Sequence, residues 1–518
     1  MPAVRTLSAV LAAAVERHGE REAIVDGDVR WTFAELGEQV RRCAAALIAA
    51  GVRRGDRVAV WAPNGHRFVV AALGAVTAGA VFVPVNTRYK GDEAHWILDK
   101  SRARLLFVDN GFLGNDYLAM LDAAGPRPTG LEQIVTLDGG GAELPWDEFL
   151  GHGATVDRAA VLERADEVGE DDVADMFFTS GTTGRPKGVL AGQAQNLRVY
   201  EAWSAGVGLR AGDRYLLVNP MFHTFGYKAG VIACLMQGAT MVPQPVFDVE
   251  QTMRLISTER VTVVPGPPTL YASILDHPQR GEHDLGSLRL AITGATIVPV
   301  TLVERMRTEL FPRVVIAYGL TETCGTATVG DPEADSETIA RTVGTAIAGT
   351  EVIVAGPDGQ ALPPGESGEV LVRGYNVMRG YFEDADATAA AIDERGFLHT
   401  GDVGIIDETG NLRITDRIKD MFVVGGFNAY PAEIEQAITR FEKVSEAAVI
   451  GVPDERLGEV GRAYVIPRPG IELTADEVVE FCRERLANFK VPRSVVVVDA
   501  LPRNPSGKVL KYVLRAQP

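Results

Sequence analysis

The sequence predicts an α/β protein: a large domain of parallel or mixed sheets with helices, a smaller β-rich subdomain, and a compact α+β C-terminal domain. Three observations predict it. Short β-type apolar runs alternate with amphipathic helical runs through the first part of the chain. From Gly344 the texture changes to short strands separated by Pro-Asp-Gly and Glu-Thr-Gly-Asn turns. After Thr415-Asp416-Arg417-Ile418-Lys419-Asp420 a further mixed series begins, with enough elements for a small domain of its own. At 518 residues the chain exceeds the roughly 100–200 of a single domain, and 46% hydrophobic residues support large cores.

In chain order, Leu7 to Val15 follows Arg5 as a short alanine-rich run that imitates a signal peptide. It passes straight into Glu16-Arg17-His18, so an ordinary helix is expected. Thr32-Phe33-Ala34-Glu35 is a capping box; its helix puts Leu36, Val40, Cys43 and Leu47 on one face and stops near Gly51. Arg57 to Trp61 and Val81 to Val85 read as strands around a helix from His66 to Ala78, a parallel-sheet pattern. Residues 110–170, rich in Gly and Asp, are uninformative. The alternation resumes at Met176 and runs through strands at Tyr215 to Val218, Thr240 to Val242, Val261 to Val264, Leu288 to Ile292 and Val314 to Ala317. Between them come helices at Tyr227 to Met236, after Asp248, and at Val300 to Leu310. In the last region Pro431 opens a helix, strands follow at Ala447 to Ile450 and Arg462 to Val465, and Thr474 to Glu477 is a second capping box. The strand Ser494 to Val498 comes last.

Composition narrows the function. A net charge of -18 argues against nucleic acid or an anionic membrane as a main partner, so an anionic substrate would need a local cluster of donors. No apolar run reaches the ~18 residues of a membrane span. Cys43, Cys234, Cys324 and Cys482 are widely spaced with no CxxC pair, which suggests neither zinc nor disulfides and fits a reducing cytoplasm.

One stretch carries the chemistry: Phe177-Phe178-Thr179-Ser180-Gly181-Thr182-Thr183-Gly184-Arg185-Pro186-Lys187-Gly188. Glycines free the backbone so that consecutive N–H groups can converge, while the hydroxyls add donors and Lys187 adds a charge, as a polyphosphate requires. It is not a Walker loop, because Gly188 stands where that motif needs Ser or Thr. The loop resembles that of the adenylate-forming enzymes, which include acyl-CoA synthetases, luciferases and peptide-synthetase adenylation domains, and the resemblance covers nearly the whole chain.

The resemblance implies roles for further residues. Tyr318-Gly319-Leu320-Thr321-Glu322 follows a strand, with Tyr318 to stack adenine and Glu322 to hold magnesium. Gly294, Ala295 and Thr296 would form the adenine pocket. Asp402, which alone also reads as a hairpin turn residue, and Arg417 would clamp the ribose. His223, Phe225, Gly226, Tyr227, Lys228 and Gly266 would line or gate the acyl pocket, His223 not as a general base. Thr179, Glu322, Lys419 and above all Lys508 would be catalytic, with Lys508 reaching both the carboxylate and the α-phosphate. Lys419 would be the hinge between a domain of residues 1–418, with its barrel-like β subdomain at about 344–416, and a mobile domain of residues 419–518. Rotation would bring Gly425, Gly426 and Phe427 to the pantetheine channel.

The implied activity is an ATP-dependent carboxylate–CoA ligase using ATP, Mg²⁺ and coenzyme A. Asn219 to Leu235 and Gly266 to Thr269 resemble actinobacterial synthetases for the indane-dione propionate of steroid-ring degradation. A medium-chain or aryl acid is the alternative. A carrier-loading enzyme is disfavoured by the chain's end at Pro518, an oxygenase by lack of specific support, and a dead nucleotide-binding regulator by the complete motif set. Monomer and homodimer both stay open. Pro502 to Lys508 has the Pro-x-x-x-x-Gly-Lys form that family members present to protein acetyltransferases and deacetylases. Lys228, a lone lysine in an apolar helix, would either meet a substrate ketone or snorkel to water.

Overall fold

A computed structural model describes residues 5–138, 143–179, 186–294, 298–417, 420–424, 427–429, 431–454, 457–483, 486, 488–503 and 509–516. The chain divides into two compact units, residues 1–352 with 372–398, and residues 353–371 with 399–518.

The first unit holds two large sheets. In one the strand order is Gly380–Tyr381, Lys187–Gly192, Val173–Thr179, Val81–Pro84, Arg57–Trp61, Ala103–Val108, Gln133–Thr136 and Leu144–Pro145. In the other it is Thr345–Ala346, Thr328–Val329, Arg313–Tyr318, Leu290–Gly294, Val263–Pro265, Arg214–Leu217, Thr240–Pro243, Glu22–Asp26 and Val29–Thr32. The centre of each is parallel, as the alternating pattern predicts. One core joins them through the buried residues Phe82, Phe107 and Phe177 of the first and Tyr215 and Ile292 of the second, with Leu36, Val40, Cys43 and Leu47 from the helix Phe33–Ala49. That helix starts as its capping box dictates: Thr32 Oγ1 accepts from the Glu35 N–H at 3.2 Å and the Glu35 carboxylate from the Thr32 N–H at 2.8 Å.

The apolar run Leu7 to Val15 lies in an ordinary helix, Leu7–His18, capped by Thr6, as expected. One element departs from expectation. The helix expected from Tyr227 to Met236 begins at Thr224 and is π-helical over Tyr227–Ile232, a widened turn of the kind found at functional sites. The uninformative stretch contains the helices Tyr117–Ala123, Trp146–His152 and Arg158–Asp166.

The second unit contains most of a four-stranded sheet ordered Thr350–Ala355, Ser367–Gly374, Leu398–Ile406 and Leu412–Arg417. Its C-terminal part is built on the long antiparallel pair Val444–Asp454 and Gly458–Pro467, with Ser494–Val497 added in parallel. The helices Pro431–Ile438 and Ala475–Arg483 contribute Ile434, Ile438, Val478 and Cys482 to its core. Among the described residues no helix is long and apolar enough to cross a membrane.

Candidate active site

Thr179 and Lys187 face each other in register where the antiparallel strands Val173–Thr179 and Lys187–Gly192 open. They form the base of the glycine-rich loop, whose Ser180, Gly181, Thr182, Thr183 and Gly184 lie outside the described residues. The Lys187 ammonium sits 4.9 Å from the centre of the Tyr381 ring. Tyr381 is delivered by a two-residue strand antiparallel to Lys187–Gly192, and its hydroxyl donates to Glu322 Oε1 at 3.0 Å. Burial, with the Glu322 carboxylate beside it, pushes the Tyr381 pKa well up, so the hydroxyl stays protonated and remains a donor. Lys187, Tyr381 and Glu322 thus form one chain from the root of the glycine-rich loop to the candidate metal carboxylate. Lys187 also lines a cavity of about 290 Å³ with Trp96, Lys100, Pro186, Phe382 and Asp384.

Tyr318 ends the strand Arg313–Tyr318, whose parallel neighbour ends at Gly294, with Gly294 opposite Ala317. Ligands of open α/β sheets collect beyond such carboxyl ends. Ala295 and Thr296, the other residues expected at the adenine, lie outside the described residues. From Tyr318 the chain folds back tightly: the Leu320 N–H donates to Thr323 Oγ1 at 2.9 Å, the Gly325 N–H to the Leu320 carbonyl at 2.8 Å, and the Ala327 N–H to the Tyr318 carbonyl at 2.8 Å. Gly319 is required because a Cβ there would lie 2.4 Å from the Gly325 carbonyl oxygen. Within this turn Leu320 and Thr321 lead to Glu322, whose own carbonyl accepts from the Met378 N–H at 2.7 Å. Among the described residues no three His, Cys, Asp or Glu cluster as a metal cage. The site offers instead a single oriented carboxylate, which suits a cation held mainly by water and phosphate oxygens.

His223, Phe225, Gly226, Tyr227 and Lys228 lie on one short run of chain. His223 is exposed, and its Nδ1 accepts the Phe225 N–H at 3.2 Å, capping the helix start. Gly226 packs so closely that a Cβ would meet the Pro220 carbonyl oxygen at 2.1 Å. Tyr227 is fully buried against Phe82, ring centres 4.7 Å apart. Gly266 follows the strand Val263–Pro265, with its N–H on the Ile292 carbonyl at 2.9 Å, which sets it beside the Gly294 strand.

Lys228 corrects the sequence reading. It neither snorkels nor stands without a partner: at 1% exposure its Nζ lies 2.8 Å from Asp175 Oδ1 and 3.3 Å from Cys324 Sγ, and 5.2 Å from the centre of the Phe177 ring. Burial disfavours the ammonium, but Asp175 and Cys324 outweigh it and hold the Lys228 pKa above its ordinary value. Sequence reasoning missed Asp175, Asn196, Cys324 and Tyr381. The signal for Asp175 was a charge inside the apolar run Ala174-Asp175-Met176-Phe177; the lone Tyr381 carried none.

In the second unit Asp402 is 2% exposed and sits inside the strand Leu398–Ile406, not at a hairpin turn. The antiparallel register places position 417 directly opposite it, so the two expected ribose ligands occupy paired positions. Its neighbour His399 pairs with Glu369 at 2.8 Å. Phe427 lies in the strand Phe427–Ala429. Lys419, Gly425, Gly426 and Lys508 lie outside the described residues.

Comparison with known proteins identifies the family. Residues 11–382 match the AMP-binding enzyme family and residues 433–508 the AMP-binding enzyme C-terminal domain. The chain is 52% identical over 518 residues to a Rhodococcus jostii protein named 3-[(3aS,4S,7aS)-7a-methyl-1,5-dioxo-octahydro-1H-inden-4-yl]propanoyl:CoA ligase, covering 99% of this chain and 98% of that one. A Mycobacterium tuberculosis protein of the same name is 51% identical over 513 residues, covering 99% of each. Among solved structures, the anthranilate CoA ligase AuaEII in complex with anthranoyl-AMP superposes with a TM-score of 0.88 at 26% identity, covering 100% of this chain and 98% of that one.

Proposed function

The chain belongs to the AMP-binding enzymes, and from that membership we propose that it is an ATP-dependent acyl-CoA ligase whose acid is a propionate on a keto-bearing fused ring. The observation that carries the reading is identity above one half, along the whole length, with two ligases named for one such propanoyl substrate. In the first half-reaction a carboxylate oxygen attacks the α-phosphorus of ATP, the bond to the bridging oxygen breaks, and pyrophosphate leaves. In the second, the CoA sulfur attacks the acyl carbon, AMP departs, and the thiol proton passes to solvent.

The protein's part in the first step is electrostatic. Backbone N–H groups and hydroxyls of the loop that starts at Thr179, together with Lys187 and Lys508, meet charge as it develops on the phosphates. Glu322, oriented by Tyr381, would hold Mg²⁺, which supplies charge neutralisation on the phosphates. Tyr318, Gly294, Ala295 and Thr296 would take the adenine, and Asp402 with Arg417 the ribose. For the second step the C-terminal domain would turn at Lys419, exchanging Lys508 for Gly425, Gly426 and Phe427 at the thiol's approach. Acetylation of Lys508 would remove the charge the first step uses, making a protein acetyltransferase a regulatory partner. Stoichiometric acetylation with full activity kept would refute that role.

The test is pyrophosphate release from a panel of carboxylates, with and without CoA. The indane-dione propionate should give the highest kcat/KM, with an acyl-CoA formed only when CoA is present. A straight-chain or aryl acid in first place would overturn the substrate class.

A further inference from the structure

Four buried side chains from four elements close a ring beneath the site. Lys228 Nζ lies 2.8 Å from Asp175 Oδ1, and Asp175 Oδ2 accepts from Asn196 Nδ2 at 2.6 Å. The Cys324 thiol donates to Asn196 Oδ1 at 2.8 Å, and Lys228 Nζ donates to Cys324 Sγ at 3.3 Å. None of the four is more than 1% exposed.

Each element carries part of the site. Asp175 shares the strand Val173–Thr179 with Thr179, at the root of the phosphate loop. Lys228 stands in the π-helical segment that follows His223 and Phe225. Cys324 directly follows the turn Thr321–Thr323 that holds Glu322. Asn196, from the helix Gln193–Val207, bridges the first and the last.

Two physical features argue that the ring is more than packing. A buried ion pair can usually be replaced by apolar residues of similar volume at no loss of stability, so its use here points to geometry. Cys324, which caps the turn Thr321–Thr323, also adopts φ +57°, a left-handed conformation that is strained for a side-chain-bearing residue, and strained residues gather at functional sites. The surroundings impose it: its N–H donates to the Thr321 carbonyl at 3.0 Å, its carbonyl accepts from the Tyr200 hydroxyl at 3.1 Å, and its sulfur is gripped by Lys228 and Asn196. The backbone leaving Glu322 is thereby fixed in direction.

We propose that Asp175, Lys228, Asn196 and Cys324 are positioning residues for adenylation, a buried tie that holds the Glu322 turn and the root of the phosphate loop in register with the acyl-pocket helix. The proposal rests on the ligase reading above and deepens it.

Two variants test it. Asp175→Asn with Lys228→Met replaces the ion pair by a neutral pair of similar size, in which the introduced amide keeps an acceptor for Asn196. Cys324→Gly relieves the backbone strain while deleting the thiol; should the double variant fail to fold, this one still decides. Four quantities are read: melting temperature, affinity for a non-hydrolysable ATP analogue with Mg²⁺, acid-dependent pyrophosphate release, and thioester formation from synthetic acyl-adenylate. The tie predicts a melting temperature close to that of the unsubstituted protein, weaker nucleotide binding, and adenylation reduced about 10²-fold, the cost of a displacement near 1 Å. Thioester formation should change little, and Cys324→Ser, which keeps a donor and acceptor, should restore most of the loss. Unchanged adenylation in stable variants, or equal loss of both half-reactions, would overturn the proposal. If the unsubstituted protein releases no pyrophosphate with any acid, the ligase reading falls, and nucleotide affinity alone then decides the tie.

Discussion

Lys187 and Lys228 both rest against aromatic rings, and the molecule treats them in opposite ways. Lys187 is half-buried, lies over Tyr381, and borders a cavity with Trp96, Pro186 and Phe382. Lys228 is sealed from water, with Asp175 and Cys324 holding its ammonium. The difference separates two uses of one side chain. A charge placed at a loop mouth can meet an incoming anion, whereas a charge paired inside the core has already met its partner and can act only by fixing other groups.

The sharpest way to break this contrast is to delete the buried charge alone. Lys228→Met leaves Asp175 inside the core without its cation, and should cost about 3–5 kcal/mol of stability at neutral pH. The sign of the pH dependence follows. Burial pushes the Asp175 pKa up, and without Lys228 nothing comparable pulls it back. A carboxyl with a raised folded-state pKa binds more protons when native, so stability falls as pH rises above the unfolded value of about 3.9. The variant should therefore recover stability in acid relative to the unsubstituted protein, and adding Asp175→Asn should abolish that trend. In the unsubstituted protein the raised Lys228 pKa gives a contribution fully present below about 10.4 and lost only as pH rises through the folded value. Denaturation midpoints across pH measure both; a flat profile for Lys228→Met would contradict the buried pair.

A lysine proposed to act on the ligand should behave in the converse way. Lys508→Ala should leave stability nearly unchanged and lower adenylation by on the order of 10²–10³, the cost of one focused transition-state donor. Thioester formation from supplied acyl-adenylate should survive, and equal loss of both steps would contradict the assigned role. Tyr381→Phe removes one hydrogen bond to a carboxylate, worth about 1.5–3 kcal/mol, and should lower kcat/KM for ATP by about 10- to 150-fold. An unchanged value would free Glu322 from its dependence on Tyr381.

The smallest effect is expected on selectivity. With Asp175 and Cys324 holding its ammonium, Lys228 is expected not to read a substrate ketone. In the Asp175→Asn, Lys228→Met variant, the ratio of activity on a keto-ring acid to that on an alkanoate of similar size should stay the same. A site that hydrogen-bonds a ketone would instead lose far more on the keto acid.

The legible part of the molecule is the part governed by local rules. Periodicity and caps located the helix Phe33–Ala49 and the strand Arg57–Trp61, because both depend on neighbours within a few residues. The strand that ends at Tyr318 was readable for the same reason, whereas Ser180 to Gly184 of the glycine-rich loop lie outside the described residues. Lys228 stood out as a charge in an apolar run while Asp175 went unread, and their pairing was invisible because it depends on how a strand and a distant helix meet in three dimensions. Cys324 read as an isolated cysteine because a left-handed backbone conformation leaves no mark when the residue is not glycine. Tyr381 reaches Glu322 only through a two-residue strand added at a sheet edge, below the length at which periodicity speaks.

The central claim is that this chain joins a carboxylic acid to coenzyme A through an acyl-adenylate. Mass spectrometry of the purified protein incubated with Mg²⁺, ATP, CoA and the indane-dione propionate tests it most directly. The account predicts equimolar acyl-CoA, AMP and pyrophosphate, with acyl-AMP detectable when CoA is withheld. Formation of ADP and phosphate, or an acyl-AMP that CoA does not consume, would contradict it.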